Sequence, residues 1–151
     1  MQWIKQTGLS VLIMSGVLAL ASCSDNTPQS SDKFQALVAE AKSQTNEINA
    51  DTLVTQRQHN PKLIVIDVRE NEEWDAGHIP GAIHINRGIL ERRVSEVIPD
   101  TQQTIVLYCG SGGRSALGAQ ALQKMGYNNV YSLEGGFTAW QAAGQQTHQG
   151  D

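Results

Sequence analysis

The chain is poor in cysteine, with two, Cys23 and Cys109, so no disulfide framework can staple it together. It has no Cys-x-x-Cys pair, and His59, His84 and His148 show no metal-ligand spacing, so no metal site and no cofactor is expected. It has no basic run, and its 11 lysines and arginines are outnumbered by 15 acidic residues, for a net charge of −4. That balance gives no support for nucleic-acid binding. No apolar run is long enough to span a bilayer as a mature helix; the longest, Gly8 to Leu20, is too short. There is no internal repeat. What remains is enough chain for one domain with a real core, carrying one thiol in an unusual setting.

The amino-terminal end has the plan of an export signal. Met1 to Lys5 carries one lysine, and Gly8 to Leu20 forms the apolar stretch. Leu20 to Cys23 then resembles a bacterial lipobox. By that resemblance, residues 1–22 are a lipoprotein signal peptide, and Cys23 is lipidated, becomes the first mature residue and anchors the protein to the membrane. Residues 23–33, rich in Ser, Asp, Asn, Pro and Gln, read as a flexible tether. Ser24, not an aspartate, follows the cysteine. In enteric-type sorting this points to the outer membrane over the inner one, with the domain facing the periplasm. Cys109 is then the free thiol of a protein in an oxidising compartment.

Cys109 opens a glycine-rich loop. The apolar run Thr104 to Tyr108 precedes it, and Gly110, Ser111, Gly112, Gly113, Arg114 and Ser115 follow, leading into Ala116 to Leu122. That is a strand, a tight loop and a helix. Small residues let successive amides converge on one point, and the helix start adds free N–H groups and a positive dipole end. Such a site suits an anion, and Cys109 is the nucleophile at its centre. Thiolates gain stability in such places and react faster.

The remaining chain alternates strands and helices. Residues 34–45 read as an N-terminal helix, and Glu47 to Ala50 as a short edge strand. Asp51 is a candidate cap for a helix reaching Gln58. Leu63 to Ile66, Ala82 to Ile85, Ile105 to Tyr108 and Asn129 to Leu133 read as strands. Helices are expected at Asn71 to Ala76, Ile89 to Ile98, Arg114 to Met125 and Gly136 to Ala143. The tail, 145–151, is polar and expected to fray. The pattern predicts an α/β fold with a mainly parallel five-stranded sheet and helices on both faces. Ligands of such sheets sit at the carboxyl ends of strands, where Cys109 falls.

Three segments together resemble the rhodanese family of sulfurtransferases. They are Ile66 to Glu70 with Glu73, Trp74 and Gly77 to Ala82; the loop Cys109 to Ser115; and Leu133 to Trp140. The resemblance covers residues 46–144 and implies a single-domain member. It implies that Cys109 accepts a sulfane sulfur from a small anionic donor such as thiosulfate, forms a persulfide, and passes the sulfur to cyanide or a thiol. Gly110 to Ser115 would bind the substrate, with Arg114 on the anionic donor. Asp67 and Arg69 would support the loop as an ion pair. For Ser115, capping or hydrogen bonding at the helix start is the preferred role, Ser111 divides evenly between capping and substrate contact, and His78 reads as a turn residue bonded to backbone. Phosphatases related to this fold place five residues between cysteine and arginine; here there are four, Gly110 to Gly113. A membrane-tethered module that binds or senses sulfur species without turnover is the alternative reading.

Overall fold

The computed structural model describes residues 30–150. The apolar leader, Cys23 and most of the tether lie outside the described residues. Five parallel strands, β1 (Asn46–Ile48), β2 (Ile64–Asp67), β3 (Ile83–His84), β4 (Ile105–Tyr108) and β5 (Val130–Leu133), form one sheet in the order β1-β5-β4-β2-β3. Six α-helices, α1 (Ser30–Gln44), α2 (Ala50–His59), α3 (Asn71–Asp75), α4 (Leu90–Val97), α5 (Gly113–Lys124) and α6 (Gly136–Ala142), accompany it, with a 3-10 turn at Arg87–Ile89 before α4. None of the described helices is long and apolar enough to cross a membrane.

The strands are apolar on both faces because helices cover both. Side chains alternate along a strand. In β4, Ile105 and Leu107 join Ile66, Leu90, Val94 and Leu122 on one side, while Val106 and Tyr108 join Leu53, Ile79, Leu133 and Trp140 on the other. All four β4 side chains are fully buried, each stabilising the fold by roughly 1.5–3 kcal/mol. From β2 the chain winds outward to β3, then returns to β4 and winds outward to β5. The adjacent carboxyl ends of β2 and β4 are therefore the topological switch point, where a crevice opens in such sheets.

Several boundaries differ from the sequence expectation. Helix α1 starts at Ser30, not residue 34, because Ser31 and Asp32 suit a first turn and Asp32 favours the positive dipole end. Asn49, not Asp51, caps α2: its Oδ1 accepts the Thr52 amide at 2.8 Å, leaving Asp51 in the first turn. The tail is not frayed over its described part. The His78 and His148 amides each donate to the other's carbonyl, at 2.8 and 2.9 Å, and Trp140 Nε1 donates to the Gln146 carbonyl at 2.8 Å. Gln149 Nε2 adds a bond to the Ala76 carbonyl at 3.1 Å, but the rest of the docking is made by backbone groups and the Trp140 indole, which the polar composition of the tail does not signal.

Candidate active site

Strand β4 delivers Cys109 to the switch point, and the chain folds back over its sulfur. Gly112 takes φ +94°, a conformation glycine adopts readily, and its amide donates to Cys109 Sγ at 3.2 Å. The same residue begins α5, so the positive end of that helix lies against the sulfur. Ser115, one turn into α5, donates to the Gly112 carbonyl at 3.1 Å, shares a hydrogen bond with Ser132 at 2.9 Å, and faces Cys109 Sγ at 3.7 Å. Its hydroxyl thus braces the loop and faces the sulfur; the cap position belongs to Gly112. Ser111, by contrast, is exposed. Cys109 itself is 1 % exposed, so a donor has to extend a slim terminal atom to reach it.

Helix α6 holds the loop from below. The Phe137 amide donates to the Cys109 carbonyl at 2.7 Å, and the Thr138 amide to the Gly110 carbonyl at 3.0 Å. This approach depends on Gly136. At its φ of +58°, a Cβ would collide with the Cys109 carbonyl oxygen and lie 2.9 Å from the Gly110 carbonyl.

Arg114 does not stand open at the mouth. Its Nη1 and Nη2 donate to Glu73 Oε2 and Oε1 at 2.7 and 2.8 Å, and Glu70 Oε1 lies 3.8 Å from Nη1. Pairing with Glu73 raises the guanidinium's affinity for its proton against the opposing effect of partial burial, and the nearby Cys109 sulfur adds to that rise. The same hydrogen bonds hold the Glu73 carboxyl below its ordinary range. The pair bridges the switch point from α3 to α5. At Gly110, both side chains come within 3.6 Å of where a Cβ would sit, whereas at Gly113 the neighbours are Val38 and Phe34 of α1.

Asp67 and Arg69 form a buried ion pair at the end of β2. Arg69 Nη2 donates to Asp67 Oδ2 at 2.6 Å and to the Gly77 carbonyl at 2.6 Å, and Nε donates to Oδ2 at 2.9 Å. The guanidinium stacks over Phe137 of α6, 4.1 Å from the ring centroid. Burial works against its charge, and the hydrogen bonds and charge of Asp67 outweigh that, so Arg69 holds its proton more tightly than usual. Tyr108 Oη accepts the Ile79 amide at 3.1 Å; burial and the Asp67 charge push its phenol up. These contacts tie β2, β4, α6 and the Gly77 to Pro80 turn into one support. His78 is buried in that turn, with Nδ1 3.2 Å from the Trp74 carbonyl and its ring stacked on Trp74. A cleft of about 400 Å³ beside α2 and α6 is lined by Asn49, Asp51, Glu134 and Gly135; Cys109 does not line it. Among the described residues, no cluster of His, Cys, Asp or Glu is arranged to hold a metal ion.

The profile of the rhodanese-like domain matches residues 50–143. The chain belongs to the rhodanese-like family. Within it, the sequence is 33 % identical over 94 residues to YrkF of Bacillus subtilis, provisionally named a sulfur carrier protein, covering 62 % of this chain and 50 % of the relative. The chain spans about half to three-fifths of the length of the curated relatives it matches. A structure of thiosulfate sulfurtransferase from Pseudomonas aeruginosa superposes with a TM-score of 0.70 at 29 % identity, covering 79 % of this chain and 23 % of that one. A Rhodopseudomonas palustris protein of unknown function, described as a possible tyrosine phosphatase, gives 0.72 at 29 % identity, over 81 % of this chain and 99 % of that one.

Sequence reading of this rhodanese-like domain passed over four residues. Glu73 was visible only as part of a signature. Its position on α3, at the carboxyl end of the strand beside the thiol strand, was the signal that a partner for Arg114 could sit there. Ser132 reads as an ordinary strand residue, and Gly136 as a helix start. Lys42 of α1 lies 3.7 Å from a Cβ position on Gly112, outside the matched residues, and nothing in the sequence marks it.

Proposed function

We propose that this rhodanese-like domain is a sulfurtransferase that carries sulfur on Cys109. The observation that carries the reading is the sheltered sulfur itself. It sits at the carboxyl end of β4 with the Gly112 amide at 3.2 Å, the Ser115 hydroxyl at 3.7 Å and the start of α5 against it. The Cys109 thiolate attacks the outer sulfur of a donor such as thiosulfate. A new S–S bond forms, the donor's S–S bond breaks, and sulfite leaves with the electron pair. The persulfide then gives its outer sulfur to cyanide or a thiol, and the Cys109 thiolate returns. The amide and helix dipole favour negative charge at the sulfur in both steps. The names of the Pseudomonas and Bacillus relatives support this class of chemistry.

Intact mass of the detergent-solubilised full chain, before and after thiosulfate and beside Cys109→Ser, tests the proposal. Gain of one sulfur atom that needs Cys109 and is lost to cyanide is the expected result. No gain in folded, reduced protein with any sulfane donor favours a tethered module that binds or senses without turnover. The Rhodopseudomonas protein's description raises phosphatase chemistry. Here the loop has four residues between Cys109 and Arg114, and Glu73 occupies the guanidinium. An aryl phosphate is therefore expected to remain unhydrolysed.

The same reading includes export and lipidation. The apolar stretch Gly8 to Leu20 and the Leu20 to Cys23 sequence support a periplasm-facing lipoprotein of the cell envelope, outer membrane over inner. The mature amino terminus, read by mass spectrometry from membrane fractions, should be a modified Cys23.

A further inference from the structure

Helix α1 lies outside the matched residues 50–143, and it starts at the Cys109 end of the sheet. Phe34 Cζ and Val38 Cγ2 lie 3.9 and 3.3 Å from a Cβ position on Gly113, the first residue of α5. At the other end of α1, Gln44 accepts from Gln120 of α5 at 2.7 Å. The two helices therefore run side by side away from the loop. Phe34, Leu37, Val38 and Ala41 follow helical spacing and form one apolar stripe on α1. Val38 and Ala41 are buried, whereas Phe34 and Leu37, at the loop end, are 43 and 55 % exposed. The chain enters α1 at that same end, from the segment that carries Cys23.

We propose that Phe34 and Leu37 rest in the surface of the bilayer that holds Cys23, turning the Cys109 end of the sheet toward the membrane. The proposal rests on the lipoprotein reading and adds an orientation to it. Residues 24–29 separate Cys23 from Ser30, and even fully extended they let α1 start at most about 25 Å from the anchor. Two apolar side chains are far too small a surface for a stable protein interface. For a helix held this close to a bilayer, the anchor supplies a high local concentration, and a weak contact suffices. Phenylalanine and leucine suit the boundary between headgroups and acyl chains. Lys33, exposed beside Phe34, can lay its stem along that surface and place its ammonium among the phosphates. Asp32 and Glu40 balance Lys33 and Lys42, so α1 carries no net charge to repel anionic lipid.

The test is tryptophan fluorescence of the full chain, purified from membranes and reconstituted into phosphatidylcholine vesicles with plain or dibrominated acyl chains. Leu37→Trp places a reporter on the proposed face. Met125→Trp is the control, at a residue 39 % exposed at the far end of α5. Each is read as the difference from the parent, which carries the native tryptophans. The added emission of Leu37→Trp should fall by about half in brominated vesicles, because a side chain at the acyl boundary meets the bromines. That of Met125→Trp should not change. Unquenched Leu37→Trp on protein that floats with the vesicles overturns the proposal and leaves the anchor intact, and equal quenching of both variants also overturns it. A blue shift of Leu37→Trp that grows with protein density, without bromine quenching, assigns the face to a second copy of the chain and overturns it too. Protein with an unmodified amino terminus that does not float overturns the lipoprotein reading, and this proposal with it.

Discussion

Ser132 on β5 holds the Ser115 hydroxyl of α5 at 2.9 Å, and this places Ser115 3.7 Å from the Cys109 sulfur. Both serines are fully buried, so neither hydroxyl has water to fall back on. The last strand of the sheet thus sets the position of a group at the reactive atom through one side-chain bond.

Ser115→Ala should therefore have two effects. It leaves the Ser132 hydroxyl short of a partner, for a stability loss of about 1–2 kcal/mol in urea unfolding. It also removes the hydroxyl facing the sulfur, and Cys109 loading should slow about tenfold, or roughly 1.4 kcal/mol of barrier. Ser132→Ala should show a similar stability loss and a smaller slowing, since it acts through Ser115. Loading that is unaltered in both variants would mean that the serines only brace the loop.

Gly136 is the second structural dependency. Its left-handed conformation and the contact with the Cys109 and Gly110 carbonyls leave no room for a methyl group. Gly136→Ala should cost about 1–3 kcal/mol from strain and overpacking together. The displaced α6 amides would also loosen the loop, so alkylation of the buried Cys109 by iodoacetamide should speed up. A variant as stable and as slowly alkylated as the parent would show that α6 does not hold the loop.

Much of this architecture was legible in the sequence. The continuous apolar runs Leu63 to Ile66 and Ile105 to Tyr108 announced strands covered on both faces, and the alternation with helices announced a parallel sheet. The loop from Cys109 to Ser115 stood out because strand, glycines and helix start succeed one another locally. What was hidden depends on partners distant in the chain. Arg114 and Glu73 are 41 residues apart, and Ser115 and Ser132 are 17 apart. No local pattern states that such pairs meet; only the strand order does. The docked tail was hidden for a different reason, since its backbone bonds to His78 carry no side-chain signature.

Asp67 and Arg69 offer a sharper test of burial. Removing one charge leaves the other without compensation inside the protein, which typically costs about 3–5 kcal/mol. Arg69→Met should fall in that range, measured by urea unfolding. Asp67→Asn should cost less, because the amide oxygen still accepts from the Arg69 guanidinium and backbone, as Asp67 Oδ1 does at 3.0 and 2.9 Å. Equal and small losses in the two variants would place the stability of this corner in the stacking of Arg69 on Phe137 instead.

The Arg114–Glu73 pair predicts how the domain responds to acid. Hydrogen bonds from Arg114 hold the Glu73 carboxyl below its ordinary value of 4.5, against the opposing effect of partial burial. A carboxylate depressed in the folded state adds stability that is fully present above its unfolded value. That stability disappears as the pH drops through the lower, folded value. The parent should therefore lose stability relative to Glu73→Gln as the pH goes below 4.5, and the gap between them should be constant at neutral pH. The side chain is partly exposed, so the effect should be modest and should shrink further at high salt. Urea unfolding of both proteins across this range checks it, with a carboxyl NMR titration assigning the step to Glu73. Parallel pH profiles would mean that Arg114 and Glu73 do not stay paired in solution.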